Sequence, residues 1–371
     1  MIVLFVNCIL LVAEWMLICR RSPGQREGSG RGVFCVLAAA QWVLLAGLRS
    51  ISTGYDTNGY ERMFRSDLYV SAKDLANTFL NDYLMGTTNR DPGFDLFVIK
   101  PIQLFTSDFR VFLFVAAIVF MGCFAWFVYR NSVNPLISYL VFSTFFYDML
   151  LFNQMRQGLA IALSVFIGFE FIKDKRWIPF VLLCLFASTI HISALLFLPA
   201  FVLYEKVPSN KAIGAAIACS IVLVFAAPSL MNLVNLLFRR GTIEAASGSS
   251  SWLVILMCSG TALLFIPFRG RLDSNGKGYV TLMLVAMAIS SLSVVFADAL
   301  RLAYYYFIFL VLLLPCVVEL YSGSEKTLLS IATLLALILI LLFVTPRIAD
   351  TNHAYQFFWE TSERIDYVSG A

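Results

Sequence analysis

Apolar residues in this chain come in runs of roughly 16 to 20, the length a helix needs to cross a hydrocarbon layer of about 30 Å. Such runs follow one another through the 371 residues, parted by short charged or Gly/Pro-containing joints. Hydrophobic residues make up 60% of the sequence and charged ones 13%, about half the charged share of an ordinary soluble domain. A water-soluble globule is excluded. The expected fold is an all-α, polytopic integral membrane protein.

Counted by apolar length, crossings are expected near residues 2–19, 33–48, 111–129, 135–152, 158–172, 177–190, 193–204, 212–228, 252–268, 279–297, 303–320 and 327–344, about twelve in all. The stretch Phe94 to Thr106 is short, carries Lys100 and Pro101, and follows a polar segment, so it reads as re-entrant or interfacial. The pieces 177–190 and 193–204 are also short and meet at His191, as a broken helical hairpin would. The first run, Ile2 to Cys19, has no basic residues before it and Arg20 and Arg21 after it, the reverse of a cleaved signal, and is expected to be retained. All eight cysteines lie in or at the edge of apolar runs, without disulfide or zinc spacing. No internal repeat is visible, so 1–371 reads as a single membrane domain with 49–110 as its large extracytoplasmic segment.

Positive charge fixes the expected orientation. With Arg20, Arg21, Arg26 and Arg31 cytoplasmic, alternation also brings Lys173/Lys175/Arg176, Lys206/Lys211 and Arg269/Arg271/Lys277 inside, all in short joints. The formal charge of +4 is therefore a statement about topology, and nucleic acid is not an expected partner. Left outside are 49–110, the joint 153–157, the loop 229–251 (its tip Ser247 to Ser251 around Gly248), the joint 298–302 and the tail 345–371. The unusual polar residues gather there.

Arg49 ends the second run and is followed by Gly54-Tyr55-Asp56 and then Tyr60. A guanidinium can bind phosphate oxygens through paired donors, and a tyrosine can stack on a sugar face. An arginine snorkelling to the interface, with Asp56 as a loop N-cap, accounts for the same residues without a ligand. Asn153-Gln154-Met155-Arg156-Gln157 sets two amides and an arginine at headgroup level between apolar helices, costly to desolvate without a ligand or partner. His191, flanked by Ser188, Thr189 and Ser193, could be a general base or a histidine hydrogen-bonded between helices. Asp298 and Arg301 are three apart and could form a plain ion pair, and Tyr304-Tyr305-Tyr306-Phe307 reads as an aromatic belt. Walker-type loops, Asp-x-Asp pairs, Gly-x-Ser-x-Gly elbows and metal-like His/Cys spacing are missing, so neither a metal nor a cofactor is expected. What remains is a membrane enzyme acting on a lipid-linked anionic substrate.

These residues resemble the EpsG-like group of Wzy-type O-antigen and exopolysaccharide polymerases. Leu48-Arg49, Gly54-Tyr55-Asp56-Thr57, Tyr60 and Phe64 are similar to that family's Arg…Gly-x-Asp-x-x-x-Tyr opening. Asp91-Pro92-Gly93-Phe94 is similar to its Glu-Pro-Gly-Tyr stretch, with Asp in place of Glu. Arg156-Gln157-Gly158-Leu159-Ala160, then Ala187 through Ala194 around His191, is similar to its Arg-Gln-x-x-Ala…His-x-Ser-Ala core, and Arg301 with Tyr304 to Tyr306 to its late Arg…Tyr segment. The resemblance implies a GT-C-type membrane fold in the bacterial cytoplasmic (inner) membrane with its active site toward the periplasm. It implies undecaprenyl-pyrophosphate-linked oligosaccharides as substrates and a chain-length regulator as a candidate protein partner. It assigns Asp56 and His191 to catalysis, and Arg49, Tyr60, Arg156, Gln157 and Arg301 to the pyrophosphate and glycan. A transferase adding one sugar from a polyprenyl-phosphate donor, or a flippase for lipid-linked oligosaccharides, would draw on the same arginines.

Overall fold

A computed structural model of the chain describes residues 2–19, 30–85, 91–238, 249–294, 299–343 and 355–360. Over them the chain is helical, with one isolated antiparallel bridge between Arg49 and Phe357. Arg20, Arg21, Arg26, the loop tip at Ser247 and Gly248, and Asp298 lie outside the described residues.

Among the described residues, four helices are long and apolar enough to cross a membrane: Phe109–Asn131, Met155–Lys173, Ser274–Val294 and Gly323–Leu342. Two bent pairs, Pro135–Phe145 with Tyr147–Asn153 at 71° and Leu300–Phe307 with Leu310–Val318 at 43°, raise the number to six if each is one span. The chain is thus a helical membrane protein, but the expected count of about twelve crossings is not what the structure gives. The other apolar helices run 10–17 residues: Ile2–Ile18, Arg31–Gly47, Trp177–Ile190, Ile192–Leu203, Asn210–Ala226 and Ile255–Gly270. At about 1.5 Å of rise per residue, seventeen residues reach only about 25 Å. An apolar run reports where the backbone avoids water, whereas breaks in the run decide how far one helix reaches.

Those breaks have local causes. Asp108 caps Phe109–Asn131 by accepting the Arg110 N–H at 2.9 Å, and Asn134 with Pro135 at the first helical position starts the next helix after a three-residue joint. Among the described residues, three wide-turn π segments, Asp95–Ile99, Tyr147–Asn153 and Ala162–Ile167, interrupt the ladder, and such bulges tend to occur at functional sites. Two of them flank the residues described below. The chain breaks at His191 as the sequence suggests: its backbone is extended (φ −156, ψ 119) between Trp177–Ile190 and a 3-10 turn over Ile192–Phe197.

Aromatic rings fill the centre. Phe124 packs on Phe142, Tyr139 and Phe166 with centroids 4.6, 5.2 and 5.4 Å apart, and Phe309 packs on Phe127, Phe169 and Tyr279. In lipid these contacts hold helices together by close packing, because hydrocarbon outside is as apolar as the core. Hydroxyls add ties between helices: Tyr139 donates to the Cys35 carbonyl at 2.8 Å and Ser138 to that of Val311 at 2.6 Å. Tyr304, Tyr305, Tyr306 and Phe307 belong to this core, at most 3% exposed, so they are not the interfacial belt expected. Tyr305 meets Ser193 and Tyr306 donates to the Leu196 carbonyl, which turns that stretch inward.

The joints sort into two groups of contacts. At one end, Glu170 accepts from Asn131 and lies 3.4 Å from Arg130 and 3.2 Å from Lys173, while Tyr204 donates to Asn275. At the other end, segment 355–360 lies along 48–53, with Ser50 donating to the Gln356 carbonyl and Phe358 to that of Leu48. Joints read from charge as sharing a side thus contact one another.

Candidate active site

Arg49 is turned inward and 1% exposed, which excludes the snorkelling reading. Nη1 donates to the Ala46 and Leu151 carbonyls at 3.2 and 3.3 Å, and Nη2 to that of Phe152 at 3.1 Å. Those of Leu151 and Phe152 close the segment Tyr147–Asn153, where a helix end leaves acceptors unpaired. Arg49 is committed to backbone, so it is not one of the groups open to a pyrophosphate. Asn153 completes the joint: its amide donates to the Asp148 carbonyl, and its oxygen accepts the Tyr55 N–H. Gly54 makes that approach possible, with φ +95 and no room for a β-carbon beside Asn153 Oδ1. The amide-rich joint therefore has protein partners.

Tyr60, on the helix Thr57–Asp67, is 5% exposed and its hydroxyl accepts the Arg156 N–H at 3.4 Å. The Arg156 guanidinium carbon stands 5.8 Å from the Tyr60 ring centre and 6.0 Å from that of Phe94, cation–π distances. Burial pushes the Tyr60 phenol above its usual range, against the pull of Arg156. Tyr60 thus sleeves Arg156; its ring is not open for a sugar to stack on. Asp56 precedes this helix by one position and makes no side-chain cap bond. Among the described residues no hydrogen bond or ion pair joins Asp56 to Arg156 or His191.

The centre of the arrangement is Asp91, which the sequence offered only as one letter of a motif. It stands at the N-cap of Pro92–Phe94, yet its carboxylate does not cap that turn. Oδ1 accepts the Ile192 N–H at 3.2 Å, and Oδ2 lies 3.1 Å from His191 Nδ1 and 3.5 Å from Arg156 Nη1. Gly93 allows this, because a β-carbon there would lie 2.6 Å from the Thr189 carbonyl oxygen and overlap the threonine side chain. Arg156 and His191 keep 31% and 29% of their side chains exposed, against 14% for Asp91. The carboxylate is sunk and the two groups it faces are reachable.

Gln157, 1% exposed, donates to the Arg301 carbonyl, so it positions the Ala299–Phe307 helix and is not open to a substrate. Arg301 itself is exposed. The structure therefore brings Tyr60, Arg156, Gln157, His191 and the Arg301 backbone into one neighbourhood around Asp91, and gives Arg49 a separate, backbone-holding place. Among the described residues no group of three or more His, Cys, Asp or Glu could hold a metal ion. A signal for Asp91 was present in the sequence, an acidic residue before Pro-Gly, but its partners lie 65 and 100 positions away.

An all-helical membrane protein carrying an arginine, a histidine and a shared carboxylate at one end of its bundle is a candidate for handling anionic, lipid-borne substrates. The chain belongs to the EpsG family, whose model matches residues 32–359 of 371. Membership fits polysaccharide polymerisation in general and a membrane-embedded protein. Neither the curated proteins nor the solved structures compared with the chain give a match. The expected GT-C-type resemblance is not supported by these comparisons.

Proposed function

We propose that this chain is a polysaccharide polymerase joining undecaprenyl-pyrophosphate-linked oligosaccharide repeat units at the periplasmic face of the cytoplasmic membrane, with release of undecaprenyl pyrophosphate. The observation that carries the reading is the meeting of Arg156 and His191 on one carboxylate, both side chains being about a third exposed. In this reaction an acceptor hydroxyl attacks the anomeric carbon of the donor glycan. The bond from that carbon to the diphosphate oxygen breaks, and the diphosphate leaves with the electron pair.

Two services are needed. Arg156, helped by exposed Arg301, meets the charge that develops on the departing diphosphate; a guanidinium's planar fork suits two phosphate oxygens. His191 takes the acceptor's proton as general base. Asp56, one turn before Tyr60, is the second group proposed for that proton, and His191 is preferred because Asp91 joins it to Arg156. Tyr60, Gln157 and Arg49 act as positioning residues.

The test is purified protein incubated with a lipid-linked repeat unit, alongside Arg156→Lys and Arg301→Lys proteins at matched abundance. The parent should give a glycan ladder, and Arg156→Lys should lose about two to three orders of magnitude in rate, as when one donor to developing charge is removed. Arg130→Lys, which alters a half-exposed pair with Glu170 and a ring contact with Trp126 away from the Asp91 cluster, should behave like the parent. Extension by one sugar would identify a single-sugar transferase, and absence of product a flippase.

A further inference from the structure

The Asp91 carboxylate is shared, and only one of its oxygens is held by a hydrogen bond. Oδ1 is pinned by the Ile192 N–H, while Oδ2 lies between His191 Nδ1 and Arg156 Nη1 at 3.1 and 3.5 Å. Neither of these approaches is aligned as a hydrogen bond, and Nδ1 is buried with no hydrogen-bond partner. Asp91 cannot easily shift toward either side: Pro92 fixes the backbone after it, and Gly93 is pressed against Thr189. Arg156 can. Its guanidinium lies in a sleeve of the Tyr60 and Phe94 rings about 6 Å away, a third of its side chain is exposed, and its tie to Asp91 is a single contact.

A diphosphate offers this guanidinium paired oxygens, a better match than one carboxylate oxygen at 3.5 Å. We propose that an anionic diphosphate on Arg156 hands the Asp91 carboxylate to His191. As the guanidinium turns to the phosphate oxygens, Oδ2 is left to accept a proton-bearing Nδ1. The imidazole is then held as the tautomer protonated at Nδ1, with Nε2 unprotonated and able to take the acceptor's proton. The proton only changes ring nitrogen, so the protein's charge is unaltered. The other titratable groups about this cluster are Asp95 on the turn after Phe94, Tyr60 behind Arg156, and Tyr305 behind Ser193. The proposal rests on the functional reading above and adds an order to it: the base is set only once the donor is in place. Asp91 is a positioning residue.

The sequence holds two histidines, so a His353→Gln protein labelled with nitrogen isotope at histidine reports on His191 alone. In lipid nanodiscs at fixed pH, adding metal-free inorganic pyrophosphate should raise the Nδ1-protonated signal several-fold at the expense of the Nε2-protonated one. Asp91→Ala should still broaden the pyrophosphate phosphorus signal but leave His191 unchanged, and Arg156→Gln should do neither. Long-chain polyprenyl diphosphate in the nanodisc should give the same shift at lower concentration if the lipid-linked form is the natural ligand. Arg156-dependent binding with a silent His191, or a response that persists in Asp91→Ala, overturns the inference and leaves the functional reading standing. Absence of Arg156-dependent binding overturns both.

Discussion

Replacing Gly93 by alanine tests the site through its geometry while leaving every proposed functional group in place. The new β-carbon would lie 2.6 Å from both the Thr189 carbonyl oxygen and Thr189 Cβ, and ordinary contact begins near 3.4 Å. The difference, 3.4 − 2.6, requires about 0.8 Å of movement, and backbone on one side cannot swing away as a side-chain tip can. That movement separates the Pro92 turn from the end of Trp177–Ile190, the two elements that carry Asp91 and His191. A misplacement near 1 Å costs about 100-fold in rate, or about 2.7 kcal/mol in the barrier. Gly93→Ala should therefore form its glycan ladder roughly 100-fold more slowly at matched abundance. Thr189→Ala in the same protein should recover only part of the loss, because the carbonyl oxygen remains. Gly122→Ala, where nothing lies within 4 Å, is the control and should match the parent. Parent-like rates from Gly93→Ala would refute the dependence of the reaction on the Asp91–His191 spacing.

Arg49→Met leaves the Leu151 carbonyl without its guanidinium donor and Phe152 with only a long bond from Thr57. At about 1 kcal/mol for each such acceptor in a membrane setting, the thermal midpoint in detergent should fall by roughly 3 °C; an unchanged midpoint would show that Arg49 holds nothing together. For orientation, a cysteine at Ser66 should react with an impermeant thiol reagent in intact cells, and one at Asn275 should not, with the native cysteines replaced. The opposite pattern would turn the site to the cytoplasm and remove the periplasmic reading.

The sequence by itself determined the class of the protein. Period and length of apolar runs answer to the solvent, and lipid leaves the backbone little choice but helix, so the all-helical membrane fold could be read directly. The break at His191 was legible because two short apolar pieces meet there, and the grouping of joints because basic residues mark one side. The residues of the site were legible as motif letters: Tyr60, Arg156, His191 and Arg301 stand out as polar groups where polarity is expensive.

Their roles were decided only by tertiary structure. Nothing local distinguishes Arg49, whose guanidinium closes a helix end about 100 residues on, from Arg156, whose guanidinium stays reachable. The tyrosines 304–306 have the composition of a membrane belt, yet packing turns them inward, because their hydroxyls find Ser193 and Leu196 on another segment. The lengths of the described helices were likewise set by bends and π turns, which hydropathy does not register. Asp91 is the clearest case. Its carboxylate acquires meaning from Arg156 and His191, and the close approach that Gly93 allows to Thr189 brings it to the histidine.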